Sequence, residues 1–323
     1  LIVALMQKNS MNTVKTFSIG FSDKEYDESH YAQKVSKILG TDHYELILSP
    51  DELLKVVPRI KTIYDEPFAD SSQVPTFLVS KLAVNEVSVC LSGDGGDEVF
   101  GGYNRYRWTN DVWSRMITLP LWLRKLISKI ISIPSEHRWK QIYSLIEFLL
   151  PLKYKMRLPG EKIHKVAVSL AALDVEDLYL CLTSLWKEAD NIVLGAKNEV
   201  AKYPHINAGS LAEKMMFLDL GIYLPGDILT KVDRAAMSVS LETRVPFLNH
   251  NLVEFAWNMP LHMKIKNGES KWALRQILLS YLPKELINRP KMGFGVPIDS
   301  WLRGPLKLWA KELIDEELIR NDG

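Results

Sequence analysis

The stretch Val87–Tyr103, VSVCLSGDGGDEVFGGY, runs from an apolar, strand-like segment into a turn rich in glycine and acid. Asp94, Asp97 and Glu98 put three carboxylates within five residues. A glycine-rich turn after a strand usually cradles phosphate, because its backbone N–H groups converge on the anion. Acidic side chains repel a bare phosphate. A divalent magnesium ion removes the conflict, since it takes one or two carboxylates together with phosphate oxygens. Gly93, Gly95 and Gly96 would then let the backbone approach a nucleotide closely, with no Cβ in the way. The plainer reading is an acidic glycine turn that caps a helix starting near Glu98. These residues alone leave both readings open.

Outward from this turn toward the N-terminus, helical and strand-like text alternates. Leu1–Lys8 reads as a helix, followed by the β-type run VKTFSIGF (Val14–Phe21). A second helix near His30–Leu39 stops at Gly40 and is followed by HYELIL (His43–Leu48). Helical text returns at Pro50–Tyr64 and Ser72–Ala83, and VSVCLSG closes the series as a buried strand. Helices between short apolar strands indicate βαβ units and an α/β fold with a parallel sheet. Ligands of such sheets sit at the carboxyl ends of strands, so SIGF and LSGDGGDE are expected to face one pocket.

Beyond Tyr103 strand signals fade and the text turns helical, with breaks expected at Pro134, Pro151, Pro204, Pro225 and Pro283. The segment Trp113–Pro151 mixes Trp, Leu and Ile with Lys and Arg and has the make-up of a helix that lies on a membrane surface. Helices packed on the nucleotide-binding part are the preferred reading, and a membrane partner is disfavoured. The chain divides into residues 1–107, a partial nucleotide-binding α/β domain; 108–205, a mostly helical insertion; and 206–323, helical text that completes the site.

Composition narrows the classes of partner. The 40 basic and 39 acidic residues nearly cancel, which gives no electrostatic case for nucleic acid. Two distant cysteines, Cys90 and Cys181, form no disulfide framework, so a reducing, cytoplasmic setting is expected. No apolar run approaches the roughly 20 residues that span a bilayer. The opening LIVALMQKNS lacks an initiator Met and a signal-peptide pattern, and reads as a helix in a fragment of a longer protein.

Several motifs fail on inspection. There is no GxxxxGK[ST] loop. Glu98 stands where a dinucleotide fingerprint needs its third glycine, and Cys90 where a GxSxG elbow needs its first. Two other constellations carry charge. In LPGDILTKVDRAAMSVSLETRVPFLNH (Leu224–His250), Asp227 is placed as an N-cap, and Asp227, Lys231, Arg234 and Ser238 share one helical face. Glu242 and Arg244 are expected on one side of an extended segment, as a buried pair or a ligand clamp. In KNGESKWALRQILLSYLP (Lys266–Pro283), Asn267-Gly268 marks a turn, and Lys271 and Arg275 place two cations on one helix face. Two such cations repel by roughly 0.2–0.5 kcal/mol unless an anion or carboxylate intervenes. Arg289 and Lys291 lie in a further Gly/Pro loop.

Five blocks in order, TFSIGF, LSGDGGDEVFGGY, KVDRAAMSVSLETRVPFL, KNGESKWALRQILLSYLP and RPKMGFGVPIDSW, resemble the synthetase domain of glutamine-dependent asparagine synthetases. The resemblance covers the chain except roughly residues 109–205. It implies a pyrophosphatase-type nucleotide-binding domain (adenine nucleotide alpha hydrolase-like) with a large helical region, ATP and Mg2+ as cofactors, and ATP-dependent amidation through an acyl-adenylate. Aspartate is the first-choice acceptor, and ammonia would come from glutamine. By resemblance, Ile19, Ser92 and Gly93 contact the nucleotide, with Gly95 and Gly96 beside them. Asp94 acts in adenylate formation at a position where the family often carries Glu. Asp97 holds the magnesium pyrophosphate, and Lys271 stabilises the adenylation transition state. Glu242 and Arg244 match an ExRxPFLD block in which Asn249 replaces the usual acid. Asp227, Lys231 and Arg234 stand as substrate-binding or structural residues.

Related β-lactam-forming synthetases and lasso-peptide cyclases share this architecture. A sugar acid or peptide carboxylate is therefore an alternative acceptor, and an inactive nucleotide-binding fragment an alternative function. The family's SGGxDSS loop and its Cys-initiated glutaminase domain have no counterpart here, so residues 1–323 alone are expected to bind ATP poorly and make no amide. A homodimer is compatible with the resemblance.

Overall fold

The computed structural model of the chain describes residues 1–23, 27–147, 159–184, 209–288, 296 and 298–322. The chain forms two compact units. The first comprises Leu1–Gly95, Leu224–Ala256 and Trp272–Gly323, and the second Gly96–Tyr223 and Trp257–Lys271.

The first unit opens with helix α1 (Ile2–Asn9) and strand β1 (Lys15–Phe21). Helix α2 (Ser29–Leu39) crosses over to β2 (Asp42–Leu48), which pairs parallel to β1 from Lys15↔Asp42 to Phe21↔Leu48. Gly40 closes α2 in the left-handed region, at φ +69°, where a Cβ would be penalised. Ser49 starts α3 (Pro50–Ile63) with a capping box: its Oγ accepts from the Glu52 N–H, and the Glu52 carboxylate accepts from the Ser49 N–H. Helix α4 (Gln73–Ala83) is buried on most of its surface, consistent with its nearly continuous apolar text. The core gathers Ile19, Phe21, Leu48, Val56 and Phe77 with Ala235, Trp301 and Leu306 from much later in the chain.

Strand β3 (Val89–Leu91) pairs parallel with β4 (Glu242–Arg244), so the described strands form two two-stranded parallel sheets in a mostly helical α/β molecule. The expected buried third strand is corrected here. β3 has only three residues, Val89 and Leu91 are exposed, and Cys90 alone leans on the small cluster of Ala83, Ala236 and Leu241.

The second unit begins with α5 (Gly96–Phe100) and α6 (Asn104–Trp108). Helices α7 (Leu121–Ser132) and α8 (Glu136–Ile146) each pack on α9 (Pro159–Ala171). They are followed by α10 (Val175–Thr183), capped by Asp174, and α11 (Leu211–Leu218), capped by Ser210. Tyr106, Trp113, Leu178, Tyr179, Met215 and Met216 form the centre of its core. After α11 the chain stays helical through Asp219–Leu229 in wide i→i+5 turns, and only then enters α12 (Thr230–Met237).

The break expected at Pro225 is absent because the wide turns accommodate the missing N–H. Asp227 therefore lies inside continuous helix and not at a helix start. Breaks do occur around Pro134 and Pro283, while Pro151 and Pro204 lie outside the described residues. Among the described residues no helix is long and apolar enough to cross a membrane.

Candidate functional site

In the first unit, the turn after β3 is held by its own polar groups. The Ser92 N–H donates to the Arg244 carbonyl at 2.9 Å, continuing the β3–β4 pairing by one residue. The Asp94 N–H donates to Ser92 Oγ at 3.1 Å, and that hydroxyl donates to the Asp94 carboxylate. Gly95 needs to be glycine for two reasons: its φ is +77°, and an added Cβ would lie 2.5 Å from Leu248 Cδ2. Gly93 is exposed, and nothing lies within 4 Å of where its Cβ would be. The Ile19 side chain is buried in the core, so only its backbone is available to a ligand.

In the second unit, Lys271 Nζ lies 2.9 Å from Asp97 Oδ2, both side chains being partly buried. This pair presses against the backbone of Gly102. A Cβ there would overlap Asp97 Oδ1 and Lys271 Cε, while the Gly102 N–H donates to the Asp97 carbonyl at 2.7 Å. The Asn267-Gly268 turn ahead of Lys271 forms as expected, with paired backbone bonds between Lys266 and Glu269. Lys271 itself sits at φ +52°, a left-handed conformation costing a lysine roughly 1–3 kcal/mol. It precedes the helix Trp272–Leu278, so the expected sharing of a helix face with Arg275 does not arise. In the first unit Arg275 donates to the Ile287 carbonyl and to Asn288 Oδ1.

Next to Asp97 a buried polar chain extends through the second unit, and none of its acids was singled out by sequence as structural. Glu98 is 1% exposed and accepts from the Tyr103 hydroxyl at 2.7 Å. Burial pushes its carboxyl above the ordinary range, against the pull of Tyr103. The Arg105 guanidinium stacks 3.9 Å from the Tyr103 ring centroid and grips Asp219 with two nitrogens, at 2.9 and 2.7 Å. Asp219, wholly buried, also accepts from the hydroxyls of Tyr106 and Tyr179. The run GGYNRYR, basic and aromatic beside a glycine turn, was the available signal. Its acceptor more than a hundred residues away was not.

The remaining candidates separate. Lys231 is buried and donates to Asp70 at 2.6 Å, while the Tyr64 hydroxyl donates to the Lys231 carbonyl. Burial pushes the Asp70 carboxyl up, but Lys231 and Ser72 outweigh it and hold it below the ordinary value. Arg234 is exposed and bonded to Asp233, with Asp65 at 3.5 Å. Glu242 and Arg244 do lie on one side of β4, joined at 2.7 Å, yet both are exposed. The buried-pair alternative is therefore corrected: a three-residue strand supplies too little cover. Arg289 and Lys291 lie outside the described residues.

Among the described residues no three His, Cys, Asp or Glu side chains converge as a metal cluster. Asp97 still fits the share a protein contributes to a magnesium–nucleotide site, because magnesium draws most of its ligands from phosphate and water and needs one or two carboxylates.

The sequence profile of the asparagine synthase family matches residues 1–323, and the chain belongs to that family. It is 32% identical over 305 residues to asparagine synthetase [glutamine-hydrolyzing] 1 of Bacillus subtilis (strain 168), covering 94% of this chain and 46% of that protein. It is 33% identical over 297 residues to a putative asparagine synthetase [glutamine-hydrolyzing] of Mycobacterium tuberculosis (strain ATCC 25618 / H37Rv), covering 91% and 43%. A more distant relative, amidase chyE of Penicillium rubens, is 23% identical over 340 residues, covering 98% and 48%. The chain thus spans less than half the length of these relatives.

Proposed function

We propose that this chain is the amide-forming part of an ATP-dependent ligase, with a pyrophosphatase-type nucleotide-binding fold in its first unit. The observation that carries the reading is the Lys271–Asp97 pair, in which a strained lysine from a distant turn meets the carboxylate of the glycine-rich acidic turn. A substrate carboxylate oxygen attacks the α-phosphorus of ATP, and the bond to pyrophosphate breaks. Ammonia then attacks the acyl carbon and displaces AMP, leaving an amide. Aspartate is the first acceptor to test, and glutamine the source of ammonia, in keeping with the names of the relatives.

Negative charge grows on the departing pyrophosphate, so the chain needs fixed positive charge aimed at it. Lys271 supplies that charge, and its strained backbone and the Gly102 contact hold the ammonium in place before substrate arrives. Asp97 orients Lys271 and is the carboxylate that would hold Mg2+, which supplies charge neutralisation to the phosphates when bound. The N–H groups of the Ser92–Gly96 turn are assigned to nucleotide phosphate, Ile19 to a backbone contact, and Asp94, fixed by Ser92, to adenylate formation.

The test is ATP–pyrophosphate exchange and amide formation by the full-length protein with a panel of acids. Lys271→Ala is expected to lower kcat about 10²–10³-fold, the usual loss when one donor to developing charge is removed. Its KM for ATP should change far less, because the interaction strengthens in the transition state. Exchange at the unmodified rate in Lys271→Ala or Asp97→Asn would sink the assignment. Exchange driven only by another acid would change the acceptor and leave the chemistry standing.

A further inference from the structure

Helix α7 packs one side on α9 and carries a second apolar stripe on the other. Trp122, Leu126, Ile130 and, one residue beyond its end, Ile133 follow at intervals of four, four and three, and so form one stripe. That stripe points to solvent: the four residues are 68%, 48%, 57% and 76% exposed. On the opposite side Arg124 and Ser128 are buried, beside the half-buried Leu121, Leu123, Ile127 and Ile131. Arg124 donates to the carbonyls of Leu170 and Ala172, where α9 ends. These are terminal carbonyls with no partner in their own helix, and a cation is favoured there. The orientation is thereby pinned, because rolling α7 to bury its stripe would break both bonds and strand the Arg124 charge.

We propose that this stripe docks the protein on an anionic lipid surface. The charge pattern selects that occupant. From Trp113 to Ser135 the sequence carries Arg115, Arg124, Lys125 and Lys129 and no acid. Lys125 and Lys129 are exposed on one edge of the stripe, four residues apart. There their stems can lie along the apolar surface while the ammonium groups reach lipid phosphates. Trp122, amphipathic, suits the headgroup boundary. Ile117 and Leu119, both exposed, extend the apolar surface just before the helix. A second copy of the chain is disfavoured as occupant, since a symmetric contact would bring the lysine edge against its own duplicate. At 12 residues, α7 is about 18 Å long and lies in the interface without spanning it. The sequence reading preferred packing to membrane for this segment. The helix does pack, on α9, and its outer stripe adds the lipid-facing surface.

The test is co-sedimentation of the full-length protein with vesicles of phosphatidylglycerol in phosphatidylcholine, against phosphatidylcholine alone, with hydrogen exchange to locate protected amides. Binding should require the anionic lipid and protect residues 121–133. Lys125→Gln with Lys129→Gln should weaken partitioning about thirtyfold, the product of two lysines near an anionic surface. Trp122→Ser with Ile130→Ser should abolish it, while amide synthesis in the absence of vesicles and the thermal midpoint stay unchanged. The proposal falls if the protein ignores the anionic vesicles, if both double variants bind like the wild type, or if the stripe instead drives a dimer that the serine variant dissociates. None of these results bears on the amidation reading, whose residues lie elsewhere in the chain.

Discussion

Glu98 and Lys264 carry opposite charges and meet the same opposition from burial. Each is 1% exposed. Glu98 has the Tyr103 hydroxyl, with Asp97 and Asp219 adding like charge to its surroundings. Lys264 Nζ has no hydrogen-bond partner among the described residues, and the Trp257 ring centroid lies 5.4 Å away. Burial lowers its pKa against the pull of Glu213. Their pH signatures have a definite sign. Glu98 has a raised folded pKa, so the folded state binds the extra proton and stability falls as pH rises through that window. Glu98→Gln keeps an acceptor for Tyr103 and should stabilise the protein at pH 7. That advantage should shrink toward zero as pH falls below about 4.3, where the unfolded carboxyl is protonated too. Lys264→Met should stabilise by about 1–3 kcal/mol at pH 7, the cost of an unsatisfied buried polar group. Its gain should narrow as pH rises toward about 10.4, because the unfolded lysine then also loses its proton. Urea unfolding at several pH values reads both; a pH-independent gap in either variant contradicts the account. The burial of neither residue was legible in the sequence. A single Glu or Lys beside apolar neighbours has no periodicity that reveals its burial, whereas Asp97 and Lys271 stood out by residue type and glycine context.

Helices show where sequence patterns hold and where they fail. The four N-terminal helices and the first two strands lie within a residue or two of their apolar repeats, and Gly40 and the Ser49–Glu52 pair mark ends by chemistry that is local. The helical path Leu211–Met237 resisted reading. Pro225-Gly226-Asp227 has the composition of a helix start, yet the chain is already helical and passes through in wide turns. What fixes the first of those turns is Asp219, bonded to Arg105 from α6 and to Tyr179 from α10. Partners 114 and 40 residues away leave no trace in a local window. Asp219→Asn should cost about 3–5 kcal/mol, because it leaves the buried Arg105 charge uncompensated. Tyr179→Phe should cost about 1.5–3 kcal/mol, the loss of one hydrogen bond to a charged group. Equilibrium unfolding by urea measures both. Equal costs would show that the tyrosine hydroxyl, and not the arginine fork, governs the site.

Across the whole molecule, each unit holds an ion pair beside a core drawn from distant parts of the chain. The sequence could announce strands and helices for these cores but not that Ala235, Trp301 and Leu306 close the one containing Leu48 and Phe77. Such closure depends on tertiary packing, which no short repeat encodes. The charged groups of the two units respond to acid in opposite directions. Glu98, in the second unit, resists ionisation, while Asp70, in the first, is held ionised by Lys231 and Ser72. A depressed folded pKa means that Asp70 contributes stability above about 3.9, its unfolded value, and loses it as pH falls through the folded value. Asp70→Asn strands the buried Lys231 and should cost about 3–5 kcal/mol at pH 7. That deficit should begin to close as pH falls below about 3.9 and vanish only below the depressed folded value, where the wild-type carboxyl is protonated in the folded state as well. Hydrogen exchange of the α4 peptide, residues 73–83, reports on the first unit directly. In Asp70→Asn its amides should exchange faster at pH 7 and converge with the wild type in acid, after correction for intrinsic rates. A deficit that persists unchanged in acid would mean that the substituted amide disturbs packing, and that the pairing of Asp70 with Lys231 is not what stabilises the first unit.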